Sequence, residues 1–427
     1  SLTSLVAVVR PLLDAIPPSV QMRSLDDVRH ALSLGGHLLR HRRDLARLVD
    51  AMTLSVADFL DEWFEDPAVK GALCPGGVIG AWAGPHSPGT AYVLLHHRMG
   101  EVGSHRGGWA FVRGGMGALS EALAAAGRAS GVEIRTGAAV VRILVEGGQA
   151  AGVLLADGTE LRASRVVSGA HPTTTFLDLV GREHLPADLV TDIERYRTRS
   201  GSAKVNLALS ELPDFTARPG TALGPQHPEV IINPSVPYLE TAWREAQAGR
   251  WSREPMMDCV IPTTKDSTLA PDGRHVMTCF VQYAPNQLAE STWDVERDRL
   301  GDRVVEVLGQ YAPNLPGAVL HRQVVTPLDM EREFGLLGGN IFHGEMSLDQ
   351  LLSFRPTPQA GAYRTPVAGL YLCGSGTHPG GGVMGAPGHN AARVVLSDAR
   401  RARLRARLRR PGGGPDRLPA ATPTPAP

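Results

Sequence analysis

The spacing of apolar and polar positions divides the chain into a helical opening, a strand-rich middle, and a short strand that enters a glycine-rich turn before a last helix. Near the start, Ser24 is suited to cap a helix whose first turn carries Asp26 and Asp27, where carboxylates favour the positive end of the dipole. Leu45, Leu48, Val49 and Met52 recur at helical spacing. Ser55 precedes Phe59, Leu60, Trp63 and Phe64, an amphipathic helix expected to stop at Pro67. Residues 71–89, rich in Gly and Pro, predict a loop that includes Trp82 and His86. Gly114, Gly115 and Gly117 precede a short helix with Leu119, Leu123 and Ala126, ending at Gly131. Strands follow over 132–135, 140–145, 153–155, 161–162 and 166–170, with Asp157-Gly158 as a hairpin turn between the third and fourth. Further strand patterns cover 204–209, 258–262 and 276–283, and a helical one covers 293–311.

The last unit carries the most chemistry. Leu370-Tyr371-Leu372-Cys373 has the apolar run of a buried strand and enters Gly374-Ser375-Gly376-Thr377-His378-Pro379-Gly380-Gly381-Gly382. Val383-Met384-Gly385-Ala386-Pro387 then opens a helix expected to reach about Leu396. Without Cβ atoms, glycine amides can approach a ligand closely, and a helix start adds unpaired N–H donors and partial positive charge. The plain alternative is a flexible strand-to-helix connection. No Gly-Lys-Ser/Thr follows, so the stretch is not a phosphate loop.

Two segments carry a resemblance. GLYLCGSGTHPGGGVMGAPGHNAARVV resembles the C-terminal flavin motif of phytoene-desaturase-like FAD oxidoreductases, and GGMGALSEALAAAGRASGVEIRTGAAVVRI resembles their internal FAD segment. TPLDMEREFGLLGGNIFHGEMSLDQL and FRP strengthen the match, which extends to about Leu396. It implies an α/β fold: a Rossmann-like FAD domain crossed by a β-meander, plus a mixed α+β substrate domain. The implied FAD domain takes residues 101–180 and 356–399, the substrate domain 1–100 and 181–355, and 400–427 is expected to be a disordered tail. The family's opening strand and G-x-G-x-x-G turn are not found near Ser1, so the FAD domain is expected to be incomplete at its N-terminus.

The resemblance also implies site residues. Val140 would meet adenine through its backbone, and Ser168, Gly169 and Ala170 would lie near the adenosine. Gly374, Ser375, Gly376 and Thr377 would flank the ribityl and pyrophosphate. Gly382, Val383, Met384 and Gly385 would present amides to the pyrimidine edge of the flavin, where a donor stabilises charge on the reduced ring. The implied activity is hydride removal from an apolar or amphipathic substrate to FAD, with the electron acceptor open. His343 and Glu345 are the acid–base candidates. Two alternatives stand beside it: redox-neutral isomerisation of a polyene, and a noncatalytic binding or assembly protein derived from a flavoenzyme.

Composition narrows the partners. The 427 residues balance 43 basic against 43 acidic side chains, which argues against bulk nucleic-acid binding. Cys74, Cys259, Cys279 and Cys373 form no CxxC pair, so neither a zinc site nor a disulfide framework is expected. A cytoplasmic, reducing setting is the default expectation. No secretory leader pattern is read, and the start at Ser1 suggests a processed or truncated product. Loose membrane association would suit a lipid substrate.

Overall fold

The computed structural model describes residues 2–22, 25–102, 105–108, 110–220 and 228–408. The expected cap at Ser24 and the end of the tail lie outside them. The chain opens with helices α1 (Leu2–Leu13), α2 (Leu25–Arg40), α3 (Leu45–Thr53), α4 (Val56–Asp61), α5 (Pro67–Leu73) and α6 (Thr90–His97). Ser55 caps α4, its hydroxyl accepting from Asp58 N–H at 3.0 Å. Pro67 does more than stop a helix. Asp66 accepts from Ala68 and Val69 N–H, and Pro67 opens α5 at the position where a missing N–H costs nothing. The predicted loop over 71–89 is therefore helical to Leu73 and turns only afterwards.

After a small hairpin, β1 (Glu101–Val102) with β2 (His105–Arg106), comes α7 (Gly115–Ala129). The meander is an antiparallel sheet of β3 (Val140–Glu146), β4 (Gln149–Leu155) and β5 (Glu160–Arg162). β6 (Val166–Ser168) then returns. Residues 132–135 form no strand, contrary to the alternation of Val132 and Ile134. Both side chains are exposed, and no described strand pairs with them. Alternation promises one apolar face, but a strand also needs a hydrogen-bonded neighbour.

The largest sheet runs in the order β11-β7-β10-β9-β8, all antiparallel. Its strands are β7 (Ser202–Leu209), β8 (Glu229–Ile232), β9 (Met256–Val260), β10 (His275–Gln282) and β11 (Val319–Val325). Interspersed are α8 (Ala187–Glu194), α9 (Val236–Gln247), α10 (Trp293–Tyr311), α11 (Leu315–Ala318) and α12 (Pro327–Phe334). Strand periodicity sends Ala203, Val205, Leu207 and Leu209, with Met277, Cys279 and Val281, into one core with Trp293, Leu300, Val304 and Leu308 of α10. Lys204, Asn206, Thr278 and Phe280 fall on the opposite face.

The chain closes with β12 (Leu370–Leu372) and α13 (Ala386–Leu408). β12 lies parallel to β6, pairing Leu370 with Val166 and Leu372 with Ser168, so the two glycine-ended strands finish side by side. α13 runs well past Leu396, through part of the stretch expected to be disordered. Arg364 holds Asp398 with two hydrogen bonds of 2.7 and 2.8 Å, and Arg401 pairs with Asp26 of α2. No described helix is long and apolar enough to cross a membrane. The chain is a mixture of helix and sheet, as expected of an α/β fold.

Candidate functional site

The site is built where β6 and β12 end. Cys373 N–H donates to Ser168 O at 2.8 Å, which brings Gly169 and Gly374 together. Gly374 has φ +79°, so a side chain there would be strained, and a Cβ would stand 3.4 Å from Gly169 O, in ordinary contact with the neighbouring strand end. Thr377 closes the turn inward: its N–H and hydroxyl both donate to Gly374 O, at 3.1 and 2.9 Å. Ser168 likewise spends its hydroxyl on Thr175, 2.7 Å away. Of the expected cofactor residues, these two therefore offer a ligand main-chain atoms only.

Past the turn the picture reverses. The N–H groups of Val383, Met384, Gly385 and Ala386 donate to no described acceptor, and residues 382–385 are exposed. Val383 is 73% exposed despite its apolar side chain. Unpaired amides at a helix start, beside uncovered Val383 and Met384, are what a flat ring with polar edges would cover. Val140 begins β3, pairs with Leu155, and leaves its side chain outside. These features fit a flavin: a close-approach glycine pair, outward amides and uncovered apolar side chains.

Buried groups hold the turn from behind. Arg355 is fully buried and pairs with no carboxylate among the described residues. Its guanidinium donates to Ser375 O at 2.8 and 3.1 Å, to Glu345 O and Gln350 O at 3.2 Å, and to Phe342 O. It clamps the 342–350 segment to the end of β12. His96 of α6 contacts Gly381 O at 2.8 Å, and burial pushes its pKa down to about 4. His378 Nε2 donates to Leu12 O at 2.8 Å, and burial lowers its pKa to about 4 as well. Neither Arg355 nor His96 was singled out as a site residue by the sequence, because their partners are carbonyls far away along the chain. The FRP motif was the one available signal for Arg355.

The two acid–base candidates part company. Glu345 is buried and turned to Arg199 Nε at 2.7 Å and Arg197 Nε at 3.3 Å, so its carboxylate serves an ion-pair cluster. His343 stays at the turn, with φ +56°, a conformation that costs a non-glycine residue energy. Burial, then the nearby Arg355 charge, holds its pKa below the ordinary value, and its Nδ1 has no described partner. It stacks on His171 at 5.9 Å with an interplanar angle of 22°. Trp82 packs edge-on against Trp243 at 5.0 Å, as a core residue.

The opposite face of the large sheet completes the surroundings. Gln282 accepts from Gly80 N–H at 3.0 Å, and Gly80 abuts Ile341 and Phe342. Phe342 in turn packs on Gly381. Lys204 lies on this face, with its ammonium pKa lowered by desolvation.

Comparison with known proteins gives the family. Pyridine nucleotide-disulfide oxidoreductase domain-containing protein 2 of Rattus norvegicus is 43% identical over 413 residues, covering 92% of this chain and 70% of that protein. The lycopene-forming phytoene desaturase of a Paracoccus species is 28% identical over 318 residues, covering 74% of this chain and 59% of that protein. In fold, the chain is similar to the solved cyclohexylamine oxidase of Brevibacterium oxydans, with a TM-score of 0.50 at 16% identity over 93% of this chain and 75% of that one. The sequence profile for flavin-containing amine oxidoreductases matches residues 74–396, spanning the strand ends, the glycine-rich turn and the start of α13. This chain therefore belongs to the flavin-containing amine oxidoreductase family, and it is a flavin-dependent oxidoreductase by that membership.

Proposed function

We propose that the flavin is FAD and that the chain removes a hydride from an apolar or amphipathic substrate. The observation that carries this reading is the row of unpaired amides at 383–386, which starts in the exposed residues 382–385 and is set beside two glycine-ended strands. FAD, when bound, would supply the hydride acceptor. The chain's own residues would do the rest. Gly169 and Gly374 leave room for the arm of the dinucleotide, and the backbone at Val140 lies on the meander strand that would meet adenine. The amides at the start of α13 would favour the edge of the ring that gains negative charge. Arg355 fixes the turn so that these donors need no reorganisation.

The substrate class rests on the uncovered Val383 and Met384 and on the sheet face that presents Phe280 beside Lys204 and Thr278. Apolar surface with a few polar groups suits an amphipathic molecule. His343 is the proton-handling candidate at the turn, and the ion pairs of Glu345 argue against that role for it. The test is optical. Titration of the purified chain with FAD should give a bound flavin spectrum, and anaerobic addition of an amphipathic amine or alkene series should bleach it. A chain that stays colourless at saturating FAD would contradict the proposal and favour the noncatalytic alternative.

A further inference from the structure

His171 stands between the end of β6 and the helical turns over 172–180. Its carbonyl accepts from Thr175 N–H at 2.8 Å, and its Nδ1 lies 3.1 Å from Thr173 N–H. The imidazole thus acts as a helix cap, with Pro172 in the first helical position. A backbone N–H can only donate, so Nδ1 keeps its lone pair. In the neutral ring the proton must then sit on Nε2. Burial, with the His343 and Arg355 charges behind it, pushes the pKa of His171 down to about 3, so the ring is neutral at pH 7. The residue is 2% exposed, and Nε2 has no partner among the described residues. A buried donor left unpaired costs about 1–3 kcal/mol, a cost that a bound acceptor would remove.

The place of this donor indicates the acceptor. His171 follows Gly169-Ala170 directly, and a Cβ on Gly376 would come within 2.6 Å of Pro172. The same Cβ would stand 3.8 Å from the Cβ of His343, whose ring stacks on His171 and whose Nδ1 is also unpaired. Two imidazole rings, each with an unpaired nitrogen, therefore lie 5.9 Å apart beside Gly376 at the junction of the two strand ends.

We infer that His171 Nε2–H donates a hydrogen bond to an oxygen on the ribityl–pyrophosphate arm of the bound dinucleotide. The inference rests on the proposed FAD reading. The capping bond to Thr173 orients the ring before any ligand arrives, while the covering of Nε2 in the free chain means that the strand-end junction must part to admit the acceptor.

Two substitutions separate ligand contact from capping. His171→Asn keeps an oxygen within reach of Thr173 N–H but is too short to place a donor at the Nε2 position. His171→Gln can place one. Calorimetric titration with FAD should show affinity about tenfold weaker for His171→Asn, the size expected for one lost hydrogen bond, with His171→Gln near the wild type. The ligand-free His171→Asn chain should melt at or above the wild-type midpoint, because it discards an unpaired buried donor. A merely structural histidine would instead lower the midpoint and leave FAD affinity alone. Riboflavin and ADP serve as further probes. A loss confined to riboflavin places the acceptor on the ribityl chain, and a loss confined to ADP places it on the pyrophosphate. Equal FAD affinity of wild type and His171→Asn would overturn the inference. So would an Nδ1–H tautomer of His171 in long-range ¹H–¹⁵N spectra of the free chain, which require no ligand. If the wild type binds none of the three probes, the FAD proposal itself fails, and that result is visible without any variant.

Discussion

Leu300 and Leu123 are both leucines on the apolar stripe of a helix, yet they live in opposite surroundings. Leu300 on α10 is 0% exposed beneath the five-stranded sheet, whereas Leu123 on α7 is 68% exposed. The contrast extends to their regions. Under α10, the inward residues of β7 and β10 are covered and the core is continuous. At α7, residues 132–135 and the start of α13, apolar side chains stand outside, and at 383–386 the backbone amides have no described acceptor. One region is finished by its own packing. The other leaves apolar side chains and helix-start amides uncovered, and these are the groups that the proposed flavin would meet.

This comparison can be broken most severely with acid. Unfolded imidazoles titrate near their ordinary value of about 6.5, while folded His96 and His378 titrate near 4 and His171 near 3. Between those values the unfolded chain binds more protons than the folded one, so stability must fall as pH drops below about 6.5. The loss continues until pH passes below the folded values. Urea midpoints measured from pH 7 to pH 4 should decline steadily, and a flat profile would mean that these rings are solvated. Next in size is Arg355→Met. It leaves the carbonyls of Ser375, Phe342, Glu345 and Gln350 without this donor, and about 1–3 kcal/mol should be lost in equilibrium unfolding for each one that stays buried. The matched leucines follow: Leu300→Ala should cost about 2–5 kcal/mol, while Leu123→Ala in the ligand-free chain should stay within about 0.5 kcal/mol. Equal costs would show that α7 is as well covered as α10. An effect smaller than that of Leu300→Ala is expected from Glu345→Gln. Weakening the bonds to Arg197 and Arg199 should cost about 1–3 kcal/mol and leave the FAD dissociation constant unchanged. A large drop in turnover at unchanged stability would instead restore Glu345 as an acid–base group.

The large sheet and α10 were legible in the sequence because their signals are local: the predicted 204–209, 276–283 and 293–311 fall within a residue or two of β7, β10 and α10. The glycine-rich turn was legible for the same reason, since strand, glycines and helix are consecutive. Residues 132–135 misled because alternation says nothing about whether a neighbouring strand exists. α13 was expected to end too early because its second half is anchored by Asp398 and Arg401, whose partners Arg364 and Asp26 lie elsewhere in the chain. Glu345 looked like a companion of His343 because the two are close in sequence, yet its side chain points to arginines that precede β7. Arg355 was marked only by the FRP motif, and His171 carried no local mark of function. Their roles arise from carbonyls and ring atoms brought together only by the pairing of β6 with β12.

The central claim is that the amides at 383–386 are left unpaired for a flavin. Hydrogen–deuterium exchange at those amides, with and without saturating FAD, tests it most directly. Fast exchange in the free chain and marked slowing on FAD addition, with β7 and β10 unchanged, is the predicted result. Slow exchange before any FAD is added, or exchange that FAD leaves unaltered while the chain turns yellow, would contradict it.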